Sequence, residues 1–174
     1  MTTSNTSIVE GRSKRPDATT LRTLAMLLPV AFGIHVIEEA PGFVQWFNSL
    51  VSPGISQRLF LRVNATAFAV TLVLGGLVAV SRQAAIAALA VAWVGFLLLA
   101  NGVFHLVGTL VHWRYSPGVV TGTLIYLPLS FLFMRAVVRE CGMSWPTIAG
   151  VAIAGGIPMY IHGYMIVFLG RRFF

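Results

Sequence analysis

Apolar residues are concentrated in five long stretches, and polar residues or proline and glycine separate each stretch from the next. A helix needs roughly 20 predominantly apolar residues to cross the hydrocarbon core of a bilayer, and each stretch reaches that length. The pattern therefore predicts an all-α fold, a polytopic membrane helix bundle with five transmembrane helices. The predicted helices span residues 20–40, 57–81, 83–112, 118–138 and 145–170.

Proline and glycine set the boundary after the first helix. Pro41 and Gly42 end it because together they break helical hydrogen bonding. The segment 42–51 is short and contains two phenylalanines and a tryptophan, which is typical of a piece that lies in the membrane interface. Prolines inside three of the predicted helices predict kinks: Pro29, Pro128 and Pro158.

The N-terminal segment differs in composition from the rest of the chain. Residues 1–19 combine Ser, Thr and charged side chains with no apolar period, which predicts a disordered basic tail. The apolar stretch behind it continues to His35 and Glu38 without a small-residue cleavage site, so it is predicted to be a retained helix rather than a signal peptide. Residues 20–174 are predicted to form a single transmembrane helical domain.

Composition and charge narrow the class of protein. Hydrophobic residues make up 57% of the chain and charged residues 10%, whereas soluble domains carry about 25% charged residues. The net charge of +7 does not predict nucleic-acid binding, since no helix carries the basic face that such binding needs. The basic residues lie at helix ends and in the tail, where they meet anionic headgroups, so the predicted partner is the lipid bilayer. Cys141 is the only cysteine, which excludes an internal disulfide and a CxxC metal site.

The distribution of basic residues predicts an orientation. In a serpentine of five helices, seven of the 12 basic residues fall on the side of the N-terminus and five on the opposite side. Because basic residues are retained on the cytoplasmic side, the N-terminus is predicted to be cytoplasmic. The protein is accordingly predicted to be integral to the cell membrane.

Ionisable residues within two of the helices mark a candidate site. His35, Glu38 and Glu39 have the spacing i, i+3, i+4, which places all three on one face of the first helix. Asn101 and His105 are likewise i and i+4 on the third helix. Carboxylates and imidazoles within a membrane span cost a few kcal/mol each even on lenient insertion scales. They are therefore expected to face protein, water or an ion.

Depth along the helices indicates that these groups share one site. The first, third and fifth helices run in the same direction, and their histidines lie about 20, 33 and 26 Å from the helix starts at 1.5 Å per residue. All three histidines thus fall in the half of the membrane opposite the N-terminus. We predict a site formed by His35, Glu38, Glu39 and His105, with substrate-contacting or supporting residues at the same depth: Asn64, Asn101, Tyr115 and His162.

Three short motifs in this order resemble a known family. Residues 35–39 read H-x-x-E-E, residues 101–105 read N-x-x-x-H, and residues 115–118 read Y-x-P-G. Together they are similar to the signature of the HXXEE-motif family of small membrane proteins, over roughly residues 24–128. The resemblance implies a polytopic membrane protein with these residues as its signature, and it supplies no reaction.

The first functional hypothesis is an enzyme that acts on a lipophilic substrate, in either of two versions. In the metal version, His35, His105 and one or both of Glu38 and Glu39 hold a divalent metal, zinc or iron, and leave a position for water or substrate. In the metal-free version, the paired glutamates share a proton and act as an acid while His105 acts as the base.

Two further hypotheses use the same residues differently. The polar groups would form a proton or cation relay in an ion-coupled transport or binding protein, or they would fix helix packing in a non-catalytic assembly protein. Structural readings also exist for individual residues. Glu38 and Glu39 would face the aqueous interface if the first helix ended early before Pro41. Independently of this, Asn101 and His105 would join helices by hydrogen bonds.

Overall fold

Helices joined by short loops make up the residues that the computed structural model describes, 19–81 and 83–169. No strand occurs within those two ranges, so the predicted all-α class is confirmed. The helices are α1 (Thr19–Glu39), α2 (Phe43–Trp46), α3 (Gln57–Val80), α4 (Ala84–Val94), α5 (Asn101–His112), α6 (Val119–Thr121), α7 (Leu127–Cys141) and α8 (Trp145–Leu169). The predicted tail, residues 1–19, lies outside the described residues except for Thr19.

Three π-helical stretches continue or join these helices. The first, Phe47–Val51, extends α2; the second, Gly95–Ala100, joins α4 to α5; and the third, Gly122–Tyr126, joins α6 to α7. A π-helical turn holds one more residue than an α-helical turn and is common at functional sites. Pro128 comes directly after the third stretch, at the start of α7 and inside the continuous helical segment Val119–Cys141.

Five helical segments are long and apolar enough to cross a membrane, in agreement with the predicted number. We call them the first to fifth spans: Thr20–Glu39, Gln57–Val80, Ala84–His112, Val119–Cys141 and Trp145–Met165. Large apolar side chains cover their outward faces, as shown by Val73, Leu124 and Ile153. This arrangement is compatible with insertion into lipid, because those faces would expose an unbroken apolar surface to water.

The fourth span ends later than its hydropathy predicts. It was expected to end at residue 138, before Arg139 and Glu140, but the helix continues to Cys141. Gly142, with φ of 68°, then ends it in the left-handed conformation. Glu140 accepts a hydrogen bond from the backbone N–H of Leu21 at 2.8 Å. The charged end of this helix is therefore used to cap the start of the first span.

Glycines allow the third and fifth spans to pack at backbone distance. A Cβ added at Gly95 would collide with the carbonyl group of Ala152, and one added at Gly155 would collide with that of Ala92. Such contacts between small residues are the usual way in which membrane helices associate. They fix α4 against α8, whereas the following α5 is free to face the first span.

This packing predicts a loss of stability when a glycine gains a methyl group. We expect Gly155→Ala to lower the free energy of unfolding by about 1–3 kcal/mol, since the two helices must separate. Gly76→Ala is the matched control, because nothing lies within 4 Å of its added Cβ, and it should change stability by less than about 0.5 kcal/mol. Thermal unfolding in detergent measures both. Equal losses in the two variants would contradict the proposed close contact.

Candidate metal centre

Two imidazoles and one carboxylate meet in the interior of the bundle. His35 and Glu39 come from the last turns of the first span and His105 from the third span, and their exposed fractions are 0%, 4% and 1%. Glu39 Oε1 lies 3.4 Å from His35 Nε2 and 3.0 Å from His105 Nε2. One ligand-type atom from each residue lies within 4.8 Å of the others. The three side chains therefore form one cluster.

A hydroxyl group fixes the tautomer of His35. Thr121 Oγ1 lies 2.7 Å from His35 Nδ1 and donates its single proton to Glu38 Oε2 at 2.5 Å. The hydroxyl oxygen can then only accept from the imidazole, so His35 carries its proton on Nδ1. Its Nε2 atom consequently presents a lone pair to the centre of the cluster. No hydrogen bond reaches Nε2 from the part of the chain that the structure describes.

His105 has the same kind of support. Its Nδ1 atom lies 3.0 Å from Ser116 Oγ, and Ser116 is fully buried. A serine oxygen can accept the N–H of Nδ1, which leaves Nε2 of His105 able to present a lone pair as well. In metal sites, a hydrogen bond to the outer nitrogen typically orients the histidine and fixes its tautomer. Both imidazoles of this cluster have a hydroxyl oxygen at the outer nitrogen.

Glu38 does not join the three clustered side chains. Its carboxylate accepts hydrogen bonds from the hydroxyl of Tyr115 at 2.5 Å and from Thr121 N–H at 2.8 Å. The backbone N–H groups of Gly118 and Val120 also donate to it, each at 3.1 Å. These N–H groups begin the fourth span, where a carboxylate satisfies unpaired donors and interacts favourably with the helix dipole. Glu38 thus caps the fourth span and holds the preceding loop in place.

Tyr115 lies outside the spans and acts on Glu38 as a donor. Partial burial, together with the hydrogen bond to Glu38 and the charge of that carboxylate, raises the pKa of Tyr115 to about 12. The phenol therefore keeps its proton at physiological pH. The sequence placed Tyr115 near the site as a substrate-contacting or supporting residue, and its observed contact is with Glu38.

Gly118 lies directly against both imidazoles. Its φ of 103° is a conformation that L side chains rarely adopt. A Cβ at this position would lie 2.8 Å from the Cε1 atom of His35 and 2.8 Å from that of His105. The loop backbone therefore approaches the cluster as closely as it does only because this residue is glycine.

Aromatic rings surround the cluster. The ring of Tyr126, which is fully buried, lies 4.4 Å from the ring of His35. Phe43 and Phe104 lie 5.6 and 5.4 Å from the ring of His105. Phe43 belongs to α2, the segment predicted to lie in the interface, and its neighbours Trp46 and Phe47 are buried. This short helix covers the cluster with apolar side chains.

A cavity of about 240 Å³ adjoins the cluster on the side of Glu39 and His105. Most of its lining is apolar and includes four phenylalanines. Three of the polar residues predicted from the sequence also line it: Asn64, Asn101 and His162. The predicted residues thus fall into three groups. These are the central trio, the three polar residues that line the adjoining cavity, and the hydrogen-bonded pair Glu38 and Tyr115.

Sequence reasoning did not single out three residues that contact the predicted side chains. Ser116 and Gly118 lie within the Y-x-P-G motif, whose proline and glycine are typical of a turn, and Thr121 follows it by three residues. Their proximity to that motif was the sequence signal that could have identified them. Hydroxyl residues near turns are common for local reasons, so their spacing alone does not point to a histidine on another helix.

The central trio has the composition of a metal site, and the distances from its carboxylate to the two imidazoles suit one. Tetrahedral ligands with bonds of about 2.0–2.1 Å lie about 3.3–3.4 Å apart. The distances of 3.4 and 3.0 Å from Glu39 Oε1 to the two Nε2 atoms are close to that value. Two histidines and one carboxylate are a ligand set used by both zinc and non-haem iron sites.

Comparisons with known proteins address the identity of the chain. No curated protein matches it, and no solved structure matches it. A family model described as "Protein of unknown function with HXXEE motif" matches residues 26–133, which is more than half of the chain and contains all three motifs quoted above. The resemblance drawn from the motifs is thereby confirmed, and the chain belongs to the HXXEE-motif family.

Proposed function

We propose that the protein is a membrane-embedded metalloenzyme that binds one divalent transition-metal ion, zinc or iron, through His35, Glu39 and His105. Its substrate would be lipophilic and would reach the ion through the adjoining cavity. The observation that carries the proposal is the position of His35 Nε2, which is buried, has no hydrogen bond within the described residues and faces a carboxylate oxygen at 3.4 Å.

A cation explains this position better than a proton does. With Nδ1 protonated, His35 Nε2 opposes Glu39 Oε1 with lone pair against lone pair, and an unpaired buried acceptor costs about 1–3 kcal/mol. A second proton on the ring would form an ion pair with Glu39 at 3.4 Å, but without a hydrogen bond. A metal ion between the three atoms would satisfy them all.

Three protein ligands leave at least one position for water or substrate, as in catalytic zinc sites. A bound metal would supply Lewis acidity and would lower the pKa of a coordinated water. The chain's own residues would orient the ligands through Thr121 and Ser116, and the aromatic rings around the cluster would exclude bulk water. This assignment differs from the sequence prediction in one respect, since Glu38 becomes a positioning residue instead of a ligand.

We also propose that the protein is integral to the cell membrane. The apolar outer faces of the five spans support integration into a membrane. The excess of basic residues on the side of the N-terminus supports a cytoplasmic N-terminus in the cell membrane. The cluster, at the opposite ends of the first and third spans, would then lie in the outer half of the bilayer.

Metal analysis of the protein, purified in mild detergent without chelator, tests the proposal. We expect about one equivalent of zinc or iron per chain in the wild type, and below about one tenth of an equivalent in His35→Ala, His105→Ala and Glu39→Gln, because each change removes one of only three ligands. His112→Ala is the matched control, since His112 lies two turns beyond His105 on the same helix and outside the cluster.

The control separates a specific site from adventitious binding. His112→Ala should keep its full metal content. A wild-type protein that holds no metal and takes up none when zinc or ferrous iron is added would overturn the proposal. Equal metal content in His105→Ala and His112→Ala would overturn the assignment of the ligands.

A further inference from the structure

Two exposed residues at the edge of the cavity beside the cluster indicate where its ligand enters. Leu59 and Val63 line the cavity, yet they are also exposed on the outer face of the second span, at 47% and 58%. They lie one helical turn apart, so both belong to the same edge of the cavity. In a bilayer that face contacts lipid tails. The cavity is therefore entered sideways from the membrane.

The lining of the cavity selects against charged head groups. None of the described residues that form it is lysine or arginine, and its one carboxylate is that of Glu39. A phosphate or carboxylate in the ligand would find no lysine or arginine in the lining, so it could pair only with the metal ion of the proposed function, where Glu39 already carries a negative charge. An ammonium group would oppose that metal ion. Because unpaired charge in an apolar site is costly, the lining favours an uncharged molecule.

One polar atom in the lining selects the kind of uncharged group. Asn101 Oδ1 is buried and has no hydrogen-bond donor within the described residues. Asn101 lies one turn, about 6 Å, before His105 on the same helix, and both side chains face the cavity. A ligand hydroxyl can donate to this oxygen, whereas an ether, ketone or ester cannot and would leave it unpaired.

We propose that the cavity binds an uncharged lipid alcohol, with its hydroxyl group hydrogen-bonded to Asn101 beside Glu39 and His105 and its apolar chain passing out between Leu59 and Val63. This inference rests on the proposed function, for which it names the substrate class. The four phenylalanines of the lining, Phe43, Phe47, Phe60 and Phe104, contact the apolar part of the ligand.

Photoreactive lipids of equal chain length test the proposal. The probes are a long-chain alcohol with a diazirine in its chain, the methyl ether of that alcohol and the corresponding carboxylate. Each is added to the full-length protein in phosphatidylcholine nanodiscs, and the labelled peptides are identified by mass spectrometry. Metal content is measured on the same samples. The ether differs from the alcohol only in lacking the donor that Asn101 Oδ1 requires.

We expect the alcohol to label the cavity-lining segments of the second and third spans at least about tenfold more than the ether or the carboxylate, because one unpaired buried acceptor is worth about a factor of ten. Asn101→Leu should remove the preference for the alcohol over the ether. Val63→Trp should reduce labelling by filling the entrance. Val73→Trp is its matched control, because Val73 is equally exposed on the same helix at 60% and does not line the cavity.

The outcomes distinguish this inference from the proposed function. Equal labelling by alcohol and ether in a metal-containing protein would overturn the lipid-alcohol assignment and leave the metal site intact. Alcohol-selective labelling of a protein that binds no metal would support the alcohol site and overturn the metal proposal. Labelling that Val63→Trp and Val73→Trp reduce equally would overturn the sideways entrance. Val63→Trp lies outside the cluster, so it remains informative if Asn101→Leu fails to fold.

Discussion

Replacing Glu38 by glutamine is expected to lower the affinity for the metal ion about 10- to 100-fold, although the Glu38 carboxylate contacts none of the three proposed ligand atoms. Changes in groups that orient metal ligands typically have effects of this size. The glutamine amide would place N–H groups against the donors that Glu38 now satisfies, at Tyr115 and at the start of the fourth span. The free energy of unfolding should also fall by about 2–4 kcal/mol.

Two further variants isolate the cause of that effect. Glu140→Gln is the matched control, because Glu140 also caps a helix, at Leu21, and its glutamine can still accept that hydrogen bond. It should leave the metal affinity unchanged. Thr121→Val keeps the side-chain shape but removes the hydroxyl between Glu38 and His35, and it should lower the affinity about tenfold.

Competition with a chromogenic chelator measures the metal affinity of all three variants. Wild-type affinity in both Glu38→Gln and Thr121→Val would show that the hydroxyl does not set the orientation of His35. If Glu38→Gln does not fold, Thr121→Val still answers the question, since it leaves the carboxylate and its backbone contacts in place.

Gly118→Ala is expected to abolish metal binding. The added methyl group would lie 2.8 Å from both imidazole rings, and the aromatic rings that pack against His35 and His105 resist their displacement. The rings must turn away from Glu39, and a displacement of about 1 Å is enough to disrupt a site of this kind. We expect less than about one tenth of an equivalent of metal per chain.

Gly142→Ala is the control for backbone strain. Gly142 also has a positive φ, 68°, but nothing lies within 4 Å of its added Cβ. Both variants should lose about 1–2 kcal/mol of stability from the left-handed conformation, and only Gly118→Ala should lose its metal. Normal metal content in Gly118→Ala would mean that the loop moves away from the histidines without disturbing them.

The spans were predictable because each is a long run of apolar residues, which raises the mean hydropathy over about 20 positions. The predicted boundaries of the second span and of the start of the fifth agree with the structure to within one residue. The later end of the fourth span was not predictable in this way. Arg139 and Glu140 have the composition of a water-facing terminus, and the bond from Leu21 to Glu140 joins residues far apart in sequence.

The candidate site was only partly predictable. Counting residues along helices that run in the same direction brought His35 and His105 to the same half of the membrane, with Glu39 one turn from His35, and the structure places the three together. The same helical face also carries Glu38, and spacing alone cannot separate i+3 from i+4 when both point inward. The side chain of Glu38 points toward the backbone N–H groups at the start of the fourth span and accepts hydrogen bonds from them. No local sequence pattern reveals this contact.

The π-helical stretch Gly95–Ala100 has a consequence for the third span as a whole. One residue in an α-helix turns it by about 100°, and a π-helical turn inserts one extra residue. Without that insertion, keeping Gly95 against Ala152 would rotate His105 by about 100° around the helix axis and away from His35. A single-residue insertion of this kind thus lets one continuous helix place a glycine against the fifth span and an imidazole against the first span. The rotation of the third span about its axis, as much as the chemistry of its residues, determines whether the two histidines can meet.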